Sequence, residues 1–148
     1  MIGEYKNNFS KDILFISDIE SKIGSITEKI KGDISTRLRR KGAIVGISGG
    51  IDSSVTLALA VRALGAKNVT GILLPEKDSS SESKELALLL SNQLGVQTIE
   101  ENITQALEGF GCYRRRDEAV AAIFPEYNPI DYNMKIGINP KGISHNLP

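Results

Sequence analysis

Residues Gly46, Ile47, Ser48, Gly49, Gly50, Ile51, Asp52, Ser53 and Ser54 form the stretch of this chain best suited to chemistry, and the chemistry they suit is holding phosphate. Gly49 and Gly50 carry no Cβ, so the backbone can bend sharply there and turn its amide groups toward one anion. Ser48, Ser53 and Ser54 add hydroxyl donors. Asp52 decides what kind of phosphate site this would be. A carboxylate beside a polyphosphate repels it unless a cation lies between them, and a hard divalent ion, most simply Mg²⁺, resolves the conflict. The same residue has a plainer reading as the cap of the following helix, where Asp and Ser stabilise by about 1 kcal/mol. Both readings stand at this level. Two familiar phosphate loops do not fit. A Walker A loop places Lys directly after its last Gly, whereas Gly50 is followed by Ile51 and Asp52, and the glycine order of the dinucleotide fingerprint is absent.

The elements that must position this loop lie on either side of it. Residues 43–47 read as a short buried strand, and residues 55–64 as a helix too apolar to face water on more than one side. The loop therefore sits at a helix N-terminus, where unpaired amides and partial positive charge favour an anion. Downstream the pattern predicts a strand over 69–74, a helix over 81–94 with Leu86, Leu89, Leu90 and Leu94 on one side, a strand over 96–99, and helices over 102–107 and 117–124. Such alternation implies an α/β fold, an open parallel sheet with helices on both faces. Ligands of open sheets lie beyond the carboxyl ends of the strands, where Ser48 and Pro75 fall.

The first forty residues differ in character. Ile16, Ile19, Ile23, Ile26 and Ile30 recur at alternating steps of three and four, and Ile34 and Leu38 follow at steps of four, which makes a helical stripe. Gly24 and Gly32 weaken it by about 1 kcal/mol each against Ala, so a break is expected near one of them. The favoured reading is a helix docked on the sheet. A homodimer seam is the alternative, since the first five spacings suit a coiled coil too short to stand alone.

Composition bounds the classes without choosing one. At 148 residues the chain is one domain's worth, and Lys plus Arg equals Asp plus Glu at 18 each, so charge gives no argument for nucleic acid or an anionic membrane surface. No apolar run reaches the length of a membrane span, and Met1 to Lys6 lack a signal peptide's apolar stretch, so a cytoplasmic location is expected. Cys112 is the single cysteine, which excludes an internal disulfide and a cysteine metal cluster. His145, the single histidine, lies in a Gly, Pro and Asn tail and reads as solvated.

Taken whole, S-G-G-I-D-S-S at a strand-to-helix turn resembles the pyrophosphate loop of the N-type ATP pyrophosphatases, which split ATP between the α and β phosphates. A second motif follows the second strand: Leu74, Pro75, Glu76, Lys77, Asp78, Ser79, Ser80, Ser81, Glu82 and Ser83. Alone it is a helix start, with Ser79 and Glu82 spaced as a capping box. As L-P-x-x-x-S-S-x-x-S in a pyrophosphate-loop domain, it resembles the NAD synthetases, either the ammonia-dependent type or the synthetase half of a glutamine-dependent one. Many members continue with Asp then Ala where this chain has Leu86 and Ala87. The resemblance runs on through Leu94, Gly95 and Val96 and through Gly111 to Ala119, covering residues 26–125. Arg114, Arg115 and Arg116 have the chemistry to reach an anionic substrate; a solvated helix start is the favoured reading.

This resemblance implies an adenine nucleotide alpha-hydrolase-like fold and amidation of nicotinic acid adenine dinucleotide to NAD, with ATP as co-substrate, Mg²⁺ as metal, and ammonia or a glutaminase partner as the nitrogen source. It implies ATP binding by residues 46–54 and Leu74, with the adenine near Gly46, Ile47 and Leu74, and Mg²⁺ on Asp52. No side-chain nucleophile or general base is required, so no catalytic residue is assigned. The expected divisions are a helical segment at 1–40, the ATP pyrophosphatase-like domain at 41–125 and an extended tail at 126–148. Synthetases of this kind run much longer, so the chain reads as the N-terminal portion of one. Two other readings are carried: a pyrophosphate-loop ligase of the GMP or asparagine synthetase type, against which the serine motif argues, and a non-catalytic nucleotide-binding or assembly module.

Overall fold

The computed structural model describes residues 15–132. His145 and most of the expected tail lie outside the described residues. The chain divides into two compact units, one of residues up to Pro75 with Ser79–Asn102, the other of Glu76–Asp78 with the residues from Ile103 onward.

The first unit holds a three-stranded parallel sheet in the order β1 (Ala43–Gly46), β2 (Val69–Leu73) and β3 (Gln97–Glu100). Gly46 lies opposite Ile72, and Leu73 opposite Glu100, so the three carboxyl ends share one edge of the sheet. Helix α2 (Ile51–Leu64) links β1 to β2, and α3 (Ser81–Gln93) links β2 to β3. Side chains alternate along each strand. Val45, Ile47, Val69 and Leu73 therefore share a face, and they form the core with Leu57 and Ala60 of α2, Ala87 of α3 and Val96. Two successive right-handed crossovers advancing in the same direction put both helices on the same side. Ile44 and Ile99, 73% and 51% exposed, mark the other face. Among the described residues of this unit, buried cover is confined to the first face. Ser91, fully buried on α3, is satisfied by donating its hydroxyl to the Ala87 carbonyl at 2.8 Å.

The N-terminal stripe forms α1 (Ile19–Gly32), capped by Asp18, whose carboxylate accepts from the Ser21 N–H at 2.9 Å. It packs on α2 rather than on the sheet as expected, and Arg62 of α2 pairs with Glu20 at 2.7 Å. Ile23, Ile26 and Ile30 are half-buried there, while Ile16, Ile19 and Leu38 at the ends of the stripe stay exposed. The helix runs through Gly24 unbroken. The expected break comes just past Gly32, where the backbone widens into a π-helical turn over Asp33–Arg37.

The expected boundaries are off by a residue or so at the strands and by four or five at two helices. Helix α2 begins at Ile51 rather than at residue 55, because its polar first turn has no apolar periodicity to announce it. In the second unit, α4 (Thr104–Gly109) precedes α5 (Cys112–Ala121), which likewise starts earlier than residue 117 under a run of charged residues.

Candidate functional site

The loop after β1 is built by its serines. The buried Ile47 extends the sheet by donating its N–H to the Ile72 carbonyl at 2.9 Å, and the chain leaves the sheet at Ser48. Ser53 Oγ accepts from the Ser48 N–H at 3.2 Å, lies 3.2 Å from Ser48 Oγ, and reaches the Gly50 carbonyl at 3.0 Å, to which the Ser54 hydroxyl also donates at 2.8 Å. These bonds close the first turn of α2 back onto the loop.

Gly49 is the pivot. Its φ of +77° is in the left-handed region, and a Cβ placed on it would lie 2.3 Å from the backbone carbonyl oxygen of Ser83. Only a residue without a side chain lets the loop rest directly on the first turn of α3. Two helix N-termini are thereby brought together at the carboxyl ends of β1 and β2, where aligned amides favour negative charge.

The structure removes one of the two readings of Asp52. The cap of α2 is Gly50, in extended conformation and without a side-chain cap bond, and Asp52 stands two residues further on. Its carboxylate is exposed and takes no hydrogen bond or ion pair among the described residues. The cap of α3 also moves by one residue, and position 83 holds Ser where a capping box would place Glu or Gln. Ser80, not Ser79, caps α3; its hydroxyl oxygen accepts from the Ser83 N–H at 3.2 Å and lies 2.9 Å from Ser83 Oγ.

A cavity of about 380 Å³ opens at this edge, within the range of small-molecule sites. Of the residues expected to bind ATP, Gly46, Ile47, Ser48 and Leu74 line it. Gly49, Gly50, Ile51, Asp52, Ser53 and Ser54 form the adjoining turn and helix start without lining it. Pro75, Ser79, Ser80 and Ser83 from the second motif also line it, together with a residue the sequence reading did not single out, Lys84. Its Nζ lies 2.8 and 2.7 Å from the two carboxylate oxygens of Glu100, the last residue of β3. No group of three His, Cys, Asp or Glu side chains among the described residues is arranged to hold a metal. The one carboxylate of the loop is that of Asp52.

In the second unit, Arg116 is far from the solvated helix start expected of it. Its guanidinium bonds Asp78 at 2.6 Å and Asp117 at 2.9 Å, and it is pushed above its already high ordinary pKa chiefly by these two carboxylates. Tyr113 donates to Glu76 at 2.7 Å, and Lys77 lies 3.9 Å above its ring. Burial and the Glu76 bond raise the Tyr113 phenol, and burial with the Asp117 bond raises Tyr127. Burial pushes Asp117 upward as well, but the Arg116 guanidinium and the Tyr127 hydroxyl outweigh it and hold the carboxyl below its ordinary value. The segment Glu76–Asp78 is thus clasped by α5. Arg114 only pairs with Glu118 one turn along the exposed helix.

These features define an α/β domain with a Gly- and Ser-rich turn seated on a neighbouring helix start, at the carboxyl edge of a parallel sheet. A family model described as NAD synthase matches residues 22–123. The chain belongs to the NAD synthase family. It is 43% identical over 121 residues to the NH(3)-dependent NAD(+) synthetase of Rhizobium meliloti (strain 1021), covering 82% of this chain and 36% of that protein. Against the protein of the same name from Mesorhizobium japonicum it is 39% identical over 123 residues, covering 83% and 38%. Among solved structures, it superposes on the glutamine-dependent NAD+ synthetase of Acinetobacter baumannii in complex with ADP with a TM-score of 0.51 and 28% identity, over 72% of this chain and 20% of that one. For the NMN synthetase of Francisella tularensis the TM-score is 0.50 at 26% identity, over 64% and 40%. The chain spans little more than a third of the length of these curated relatives.

Proposed function

We propose that this chain supplies the ATP-binding part of an ammonia-dependent NAD synthetase. The observation that carries the reading is the seat of Gly49 on Ser83, which gathers two helix N-termini and the hydroxyls of both serine motifs at one edge of the sheet.

In the proposed reaction, a carboxylate oxygen of nicotinic acid adenine dinucleotide attacks the α phosphorus of ATP. The bond from that phosphorus to the bridging oxygen breaks, and pyrophosphate departs. Ammonia then attacks the activated acyl carbon, and AMP leaves as the amide of NAD forms. Activation is needed because a carboxylate is a poor electrophile and AMP leaves far more readily than oxide. The amides and hydroxyls of Ser48, Gly49, Gly50, Ser53 and Ser54 are proposed to hold the departing pyrophosphate, where charge builds in the transition state. Asp52 would hold Mg²⁺, which neutralises charge on the leaving group when bound. Backbone groups near Gly46, Ile47 and Leu74 would take the adenine, at the wall of the cavity they line. Partners proposed with this reading are a glutaminase as an alternative ammonia source and a second copy of the chain along the α1 stripe, and the compartment proposed is the cytoplasm.

The test has two tiers. ATP binding by titration calorimetry, with and without Mg²⁺, examines the site, and Asp52→Asn is expected to abolish the Mg²⁺-dependent part. Pyrophosphate release with acid dinucleotide, ammonia, ATP and Mg²⁺ examines turnover. Binding that survives in Asp52→Asn with its metal dependence intact removes the metal assignment. ATP binding without acid-dependent pyrophosphate release would leave the chain as a nucleotide-binding module.

A further inference from the structure

We infer that Lys84 is the cation that this site sets against the phosphates of its nucleotide, and that Glu100 holds it at the cavity until they arrive. The inference rests on the ATP reading above and deepens it.

A polyphosphate site normally brings cationic side chains to the phosphates. The loop from Gly46 to Ser54 contains none. Among the described residues lining the cavity, the one cationic side chain is Lys84, which shares the wall with Ser48, Ser80 and Ser83. Its place in the chain is otherwise hard to explain. Ser80 caps α3, so Lys84 falls in the first turn of the helix, where the macrodipole disfavours a cation. A lysine there serves the helix poorly and an anion in front of the helix well.

Glu100 explains how the side chain is kept in position. The register sets this last residue of β3 beside Leu73, at the same carboxyl edge as the loop, and both of its oxygens bond Lys84 Nζ. The two side chains are 44% and 43% exposed, so the pair contributes little to stability and is easily exchanged. A triphosphate carries more charge than one carboxylate, and the flexible lysine stem lets the ammonium turn from one to the other while the cavity fills.

Titrations of the full chain with ATP, adenosine and inorganic pyrophosphate test this. Lys84→Met is expected to weaken ATP and pyrophosphate about tenfold and to leave adenosine unchanged, since a single charge-assisted contact is lost. Lys84→Arg is expected to keep most of the ATP affinity. Glu100→Gln, which frees the lysine, is expected to hold or tighten ATP binding. The inference is overturned if Lys84→Met binds ATP as the parent does, if it loses adenosine equally, or if Glu100→Gln weakens ATP as much as Lys84→Met. Parent chain that binds no ATP at all removes the functional reading and this inference together. A parent that binds ATP and is weakened by Asp52→Asn but not by Lys84→Met removes this inference alone.

Discussion

Two adjacent glycines in the loop make opposite predictions. At Gly49, alanine meets two independent penalties. Its φ of +77° costs an L-residue about 1–2 kcal/mol. Its Cβ would also lie 2.3 Å from the Ser83 carbonyl oxygen and 3.1 Å from the Ser83 Cα, both backbone atoms that cannot rotate aside. To regain ordinary van der Waals separation the loop must retreat from α3 by about 1 Å. Overpacking of this kind typically adds 1–3 kcal/mol, so Gly49→Ala is expected to destabilise the chain by about 2–4 kcal/mol.

At Gly50 the backbone is extended, with φ −82° and ψ 162°, and a Cβ would meet Ser48 Oγ at 3.5 Å, an ordinary contact. Gly50→Ala should therefore cost about 1 kcal/mol or less, the difference between glycine and alanine as a helix cap. Urea unfolding followed by tyrosine emission measures both, since the chain has no Trp to mask its Tyr residues. ATP titration of the same variants gives the functional half. A retreat of the loop by about 1 Å is enough to cost on the order of a hundredfold in a reaction that depends on its placement. Equal stability and equal ATP affinity of Gly49→Ala and the parent, or equal damage from the two substitutions, would refute the proposed seat of the loop on α3.

Other expectations follow from the packing and the bonds. Leu57, fully buried between α2 and the sheet, should cost about 3 kcal/mol on replacement by alanine, read as a shift in the urea midpoint with an unchanged slope. Ser53→Ala removes the bonds to Ser48 and the Gly50 carbonyl and should cost about 1 kcal/mol while weakening ATP more than it weakens adenosine. The clasp of the second unit should fail at both ends of the pH scale. Asp117 is held below its ordinary value near 3.8, so its contribution is present above that pH and is lost as pH falls through the lowered value. Tyr113 and Tyr127 are raised above 10, so theirs is present below pH 10 and is lost as pH rises through the raised values. Phenolate absorbance checks the alkaline limb: Tyr113→Phe should remove amplitude from the part of the titration above pH 10, and loss of an ordinary tyrosine's amplitude instead would contradict the bond to Glu76.

What could be read from the sequence is what the chain encodes over short spans. The strand, turn and helix around Gly49 announce themselves because a short continuous apolar run stops at two glycines and a longer apolar run resumes after them. The start of α2 was harder to see, since Asp52, Ser53 and Ser54 form its first turn without any apolar residue that must be buried. The Ser79 and Glu82 box is a similar near miss. Three serines in a row offer more than one register for the same cap, and the backbone settles on Ser80, whose hydroxyl reaches the Ser83 N–H.

Features joined across long spans left no local signal. Lys84 finds Glu100 sixteen residues away only because the register of β3 against β2 carries Glu100 to the carboxyl edge. Arg116 finds Asp78 across 38 residues, which turned an apparently solvated arginine into the centre of the clasp on α5. The most consequential of these links is the one between the two motifs themselves. Read along the chain, the glycine loop and the serine run are separate, each with an adequate local explanation as a turn and a cap. In the folded unit a Cβ on Gly49 would strike the carbonyl of Ser83, so the two backbones lie in direct contact. A change at the cap of α3 that displaces Ser83 toward Gly49 should therefore be felt at the glycine loop, as a change within the loop itself would be.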